Sequence, residues 1–182
     1  MIHLKKISII FVCVFLIVIL FVYQQNMKTK AEVKEGDFVY RLVTEKEEYS
    51  EGEAIKIYAE LEYIGDQEEI EISHGGSPFS FPMVETTRNY DIDSFNFLVL
   101  KRTKLIKGES LRLEFLGSGG YGSQDENEYT EFMKRVANNE FPKGRYVVNG
   151  AADFNVIESG DSIEKKNYEI KAQIEFRVKN SK

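Results

Sequence analysis

Apolar and polar side chains alternate with period two along much of this chain. Between residues 54 and 64, Ile55, Ile57, Ala59, Leu61 and Tyr63 face one way, and Lys56, Tyr58, Glu60 and Glu62 the other. That pattern predicts a strand with one face on a core. Residues 168–179 repeat it, with Ile170, Ala172, Ile174, Phe176 and Val178 against Lys171, Gln173, Glu175, Arg177 and Lys179. Residues 145–154 set Tyr146, Val148, Ala152 and Phe154 on one side. Further strands are read at 37–44, 68–73, 95–102 and 110–116, the last with Leu111, Leu113 and Phe115 inward. Short strands at this spacing predict an all-β fold, an antiparallel β-sandwich.

The period changes twice. In "SQDENEYTEFMKRVANN" the apolar residues Tyr129, Phe132, Met133 and Val136 fall at helical spacing. Ser123 and Glu126 have the capping-box spacing, and acids fill the first turn. One short helix is therefore expected at about 124–138, inserted between strands and ended before Pro142.

The second change lies at the start. Residues 7–23 are uncharged and apolar except for Ser8. As a helix they span roughly 25 Å, close to a hydrocarbon core and longer than the apolar part of a cleaved leader. Lys5 and Lys6 precede them, so residues 1–6 read as a cytoplasmic tail. Cleavage would use Thr29-Lys30-Ala31, a late site in a lysine-bearing stretch, and Cys13 sits mid-run after Val12 rather than at a lipid-attachment position. The expectation is an uncleaved signal-anchor, a transmembrane helix at 7–23. A linker at 24–36 and an extracytoplasmic domain at 37–182 follow it.

Charge narrows the partners. The first 30 residues hold four lysines and no acid, so the remainder carries 20 basic and 30 acidic side chains, a net of −10. Such a domain repels nucleic acid, which is not an expected partner. Cys13 is the only cysteine, so stability beyond the anchor comes from packing rather than disulfides.

Three stretches look like chemistry. "GSGGYG" (117–122) fits the dinucleotide fingerprint between a strand and a helix. The acids at 125, 126 and 128 would repel a pyrophosphate there, so no cofactor is expected. His74 is the only histidine beyond the tail and has no histidine or cysteine partner for a zinc site. A Ser77 or Ser80 nucleophile acting with His74 is the hydrolase alternative. "DID" (91–93) opens like a calcium loop, but Phe95 and Asn96 occupy places where a ligand and a glycine are needed. No catalytic or metal site is expected.

The most unusual connection is 74–94, "HGGSPFSFPMVETTRNYDIDS". Read blandly, "FSFPMVE" is an edge strand guarded by its prolines. Read functionally, the segment is a binding loop offering His74, Pro78, Phe79, Phe81, Met83 and Arg88 to a partner.

"YSEGEAIKI", "LIKGESLRL" and "FPKGRYVV" share a form: an apolar residue, two more residues, a glycine, then an alternating strand. Glycine there supplies a turn conformation that other residues resist. With these turns the chain resembles bacterial immunoglobulin-like domains. The order "IEISHGGSPFSFPMVE", "LIKGESLRLEF", "FPKGRYVV" resembles, more distantly, the intracellular proteinase inhibitor (BsuPI) domain family over about residues 49–179. The absence of tryptophan and the export signal depart from that family. The resemblance implies an immunoglobulin-like sandwich and offers protease inhibition through an exposed loop, 74–94 or 117–123, as an alternative. The leading expectation is a non-enzymatic, membrane-anchored module that binds an extracytoplasmic protein or envelope component.

Overall fold

The computed structural model describes residues 28–95, 99–157 and 165–181. The three clearest alternating stretches all form strands, and their apolar faces meet. One sheet has four antiparallel strands in the order β1 (Lys30–Glu35), β2 (Phe38–Thr44), β4 (Ile57–Tyr63) and β10 (Ser110–Glu114). The second is built on a long hairpin of β11 (Gly144–Ile157) and β12 (Lys165–Lys179). β3 (Glu48–Ser50) joins the outer edge of β12 in parallel. Along the other edge of β11 lie, end to end, β7 (Met83–Glu85), β6 (Phe79–Ser80) and β5 (Glu69–His74). β9 (Lys101–Ile106) pairs with β5, and β8 (Tyr90–Ile92) with β7.

One core lies between the sheets. Leu42, Ile57, Ala59 and Leu61 face Tyr146, Val148, Ile170, Ile174 and Phe176, all fully or nearly fully buried. Aromatic rings fill the centre of the core: Tyr146 stacks on Phe176 at 4.9 Å, and Phe141 meets both edge-on. The buried Tyr146 hydroxyl donates to the Pro142 carbonyl at 2.6 Å, tying the start of β11 to the turn before it.

The helix is α1 (Asn127–Ala137), which buries Phe132, Met133 and Val136. It is shorter at its start than expected. Glu126 is the N-cap with no side-chain cap bond, while the Asp125 carboxylate accepts the Gly122 N–H at 2.6 Å. The expected capping box does not form, because Asp125 closes its own turn one step earlier.

Three other expectations are corrected. Part of the stretch read as a linker, 30–35, forms β1 against β2. Its few apolar positions, Ala31 and Val33, were too sparse to mark a strand. Of the strand read at 95–102, residues 96–98 lie outside the described residues; the described strand is Lys101–Ile106, where charged residues line the outer face. Lys104 meets Glu69 at 2.8 Å and Arg102 meets Glu71 at 3.1 Å across the β5–β9 pair. β10 turns only Phe115, just past its end, fully inward; Leu111 is half-buried and Leu113 exposed, because β10 is an edge strand. The expected membrane span, 7–23, lies outside the described residues. Among those described, no helix is long and apolar enough to cross a membrane.

The chain enters the domain at one end of the sandwich. The Lys28 carbonyl accepts the Glu175 N–H at 2.9 Å, and the Thr29 carbonyl accepts that of Thr44 at 2.8 Å. β1 then runs the length of the first sheet to a turn at Gly36-Asp37, roughly 20 Å away at the usual rise per residue.

Candidate functional site

The 74–94 connection is an edge of the second sheet. Ser73 pairs with Asn155 but Phe79 pairs with Ala152, so three extra residues bulge out of the ladder within 74–78. From there the segment keeps one register down β11 to Glu85 opposite Tyr146. The prolines sit where only a carbonyl is needed: Pro78 accepts from Asp153 N–H at 2.9 Å and Pro82 from Asn149 N–H at 2.8 Å. Phe79, Phe81 and Met83 all point into the core, at 3, 6 and 2 % exposure. The three apolar residues expected to face a partner are therefore packing residues, and the segment's alternation is that of a strand.

The polar members are equally committed. The His74 ring is buried, with Nδ1 at 2.7 Å from the Gly75 carbonyl and Nε2 at 2.8 Å from the Thr103 hydroxyl. A carbonyl takes only a donor, so Nδ1 donates to Gly75, and Nε2 shares a hydrogen bond with the Thr103 hydroxyl. Both nitrogens are engaged, and a proton-transfer role for His74 would first have to break one of these bonds. The Ser77 hydroxyl donates to the Phe79 carbonyl and accepts its N–H, closing the bulge.

Arg88 holds down a buried acid. Glu85 is fully buried and accepts the N–H groups of Thr87 at 2.8 Å and Arg88 at 2.9 Å, and the Arg88 guanidinium at 3.1 Å. Burial pushes this carboxyl up, but the donors outweigh it and hold it below the ordinary carboxylate range. Arg88 also donates to the Lys143 carbonyl at 3.0 Å and lies over the Phe132 ring. Gly144 makes room for the acid, since a Cβ there would stand 2.5 Å from Glu85 Oε1.

The glycine loop is also a packing device. Gly117 has φ +98°, and a Cβ on it would run into the Ala137 carbonyl oxygen. Gly119 lies against the Met133 carbonyl. The loop thus runs back along α1 from its last turn to its start, where the Asp125 carboxylate, rather than a phosphate, takes the Gly122 N–H. Of the two stretches offered for protease inhibition, 74–85 is woven into the sheet and 117–120 lies on α1, while 86–89 and 121–123 are exposed.

What remains open is a cleft of about 790 Å³ at one end of the sandwich, which nothing in the sequence singled out. It is formed where β2, β4, β5, β9, β11 and β12 come together at their ends. Its floor is aromatic: Phe38 meets Tyr63 at 5.7 Å and Tyr168 at 4.8 Å, and Tyr168 stacks on Phe154 at 5.3 Å. Its rim mixes charges, with Asp37, Glu69 and Glu71 beside Arg102, Lys104 and Lys166. The Glu69 carboxylate bonded to Lys104 raises that ammonium's pKa, so the lysine stays charged at neutral pH. Lys166 lies 5.0 Å from the Tyr168 ring centre.

The cleft lies at the Gly36-Asp37 end, opposite the end where the chain enters at Lys28. Among the described residues, its side chains hold no thiol, hydroxyl nucleophile other than tyrosine, or imidazole. The rings of Phe38, Tyr63 and Tyr168, at 1, 4 and 5 % exposure, are committed to the core, so the arrangement can hold a ligand by charge at several points of its rim. A rim of both signs suits a partner that carries both signs, as a polypeptide does, better than a uniformly charged polymer. No protein-family model matches this chain, and no curated protein matches it in sequence.

Proposed function

We propose that the chain is a membrane-anchored, extracytoplasmic immunoglobulin-like module that binds a protein partner in the cleft at the far end of its sandwich. The observation that carries this reading is the opposition of the two ends. The apolar segment 7–23 leads into the domain beside Glu175, and the aromatic-floored cleft opens about one strand length away. An anchored domain so built turns its binding surface from the membrane toward the surroundings. The immunoglobulin-like assignment is supported by the Tyr146–Pro142 bond, a tyrosine tied back to backbone a few residues upstream as in the tyrosine corner of that architecture.

Two experiments test the reading together. The protein is expected to stay with membranes after high-salt and alkaline washing, with its N-terminus intact; mature protein beginning near Glu32 in the medium would contradict the anchor. Reversing two of the three cleft cations, Arg102→Glu with Lys104→Glu, is expected to abolish partner capture in intact cells while leaving membrane retention unchanged. Undiminished capture by that variant would contradict the cleft.

A further inference from the structure

Four residues, 24–27, separate the apolar segment ending at Tyr23 from Lys28. From Tyr23 to Lys28 the chain reaches at most about 18 Å when fully extended. At Lys28 it is already bound to the domain, its carbonyl accepting the Glu175 N–H at 2.9 Å. The second sheet does not stop at that level. β12 continues four residues to Lys179, about 13 Å further from the cleft at the usual rise. The Glu51 N–H donates to the Lys179 carbonyl at 2.8 Å, and the Glu53 N–H to that of Ser50 at 2.9 Å, so the turn after β3 caps this overhang. About 5 Å of reach is left, no more than the depth of one headgroup layer. The tether is too short to hold the domain clear of a bilayer.

We infer that the β3 end of the domain, residues 47–52, sits on the lipid headgroups of the bilayer that holds the anchor. The inference rests on the anchor proposed above and adds a second membrane contact, made by the folded domain itself. Two observations choose this end over the side of the sandwich. The alternation of β1 runs back through Thr29, bonded to Thr44, and Lys28, bonded to Glu175 on the other side, so the chain leaves along the strand axis. The next place on that edge of β12 is taken by Glu47, whose carbonyl accepts the Arg177 N–H at 2.8 Å. β3 is therefore the part of the domain nearest the anchor. Its charges suit the contact. The net of −10 carried beyond residue 30 would be repelled by anionic headgroups, but at this end the acids are matched by cations of the chain itself. Glu45 meets Lys56, Glu48 meets Lys179 and Arg177, Glu51 meets Arg135, and Glu53 meets Lys46. Among the described residues, Glu47 is the one acid of 45–53 without an ion pair.

The test uses the full chain with Cys13→Ser, which leaves no native thiol, reconstituted in phosphatidylcholine vesicles carrying a nitroxide quencher on some headgroups. A fluorophore that cannot cross the bilayer is attached to one of three exposed positions: Ser50→Cys at the β3 end, Lys171→Cys on the side of β12, or Gln67→Cys at the cleft. Quenching at 50 is expected to exceed that at 67 and 171 severalfold. With anionic lipid added, Glu47→Lys is expected to raise the quenching at 50 further, since it turns the one unmatched acid into a cation. Position 50 quenched no more than 67, in protein that stays with the vesicles through an alkaline wash, would overturn the contact and leave the anchor standing. Strongest quenching at 171 would mean that the domain lies on its side, and would also overturn it. Protein released by the wash would overturn contact and anchor together.

Discussion

Single residues in this domain are fixed by their neighbours more than by their type. Glu85 is the clearest case, an acid buried at 0 % exposure and surrounded by donors. A carboxyl whose folded pKa is depressed contributes stability that is complete above its ordinary value of 4.5 and is lost as pH falls through the lower, folded value. Glu85→Gln is expected to cost about 1.5–3 kcal/mol at pH 7, because an amide nitrogen would face N–H donors. The same variant should show a shallower loss of stability in acid than the natural chain, measured by urea unfolding across pH 3–7. Phe79→Ser should cost about 3–5 kcal/mol, since it removes a buried ring and leaves a hydroxyl in its place. A melting temperature unchanged by that substitution would return Phe79 to the surface. Gly117→Ala is expected to destabilise by about 1–3 kcal/mol or more, because its φ is left-handed and its Cβ meets the Ala137 carbonyl.

Among the three glycine-led turns, the common form in the sequence conceals two causes. Gly52 and Gly108 have positive φ with open space around them, as turn glycines should. Gly144 is needed for the approach of Glu85, a residue 59 positions away, and no local pattern carries that information.

Elements were legible in proportion to how long their alternation runs. β4, β11 and β12 are core strands with a clean polar face, and their sequences say so. α1 was legible because four apolar residues keep helical spacing. The short strands were not, because three residues cannot show a period: β3 rests on β12, a partner distant in the chain, and β8 on the equally short β7. "KRTKLI" was hidden for a different reason. It has little apolar alternation of its own, yet it makes the ladder with β5, with cross-strand charge pairs to Glu69 and Glu71. Lys104→Glu should lower stability by no more than about 1 kcal/mol, since these pairs are exposed. A larger loss in thermal unfolding would mean that the pairs, rather than the buried Leu105 and Ile72, hold β9 in place.

At the scale of the whole molecule, the candidate site was not legible at all. Phe38, Tyr63, Tyr168, Arg102 and Lys104 come from four strands spread across about 130 residues, and each reads locally as an ordinary strand position. Only the fold assembles them, and only the order of strands puts them at the end away from Lys28. The 74–94 segment attracted notice for its prolines and clustered phenylalanines, which are the marks of an edge strand that must pack without over-pairing. The account therefore stands on orientation: an anchor at one end and binding at the other. The most direct measurement is photo-crosslinking in intact cells from two single positions, Gln67 at the cleft and Glu47 near the end where the chain enters. The account predicts a discrete protein adduct from Gln67, lost when Arg102 and Lys104 are reversed, and none from Glu47. An adduct from Glu47 with Gln67 silent would contradict it.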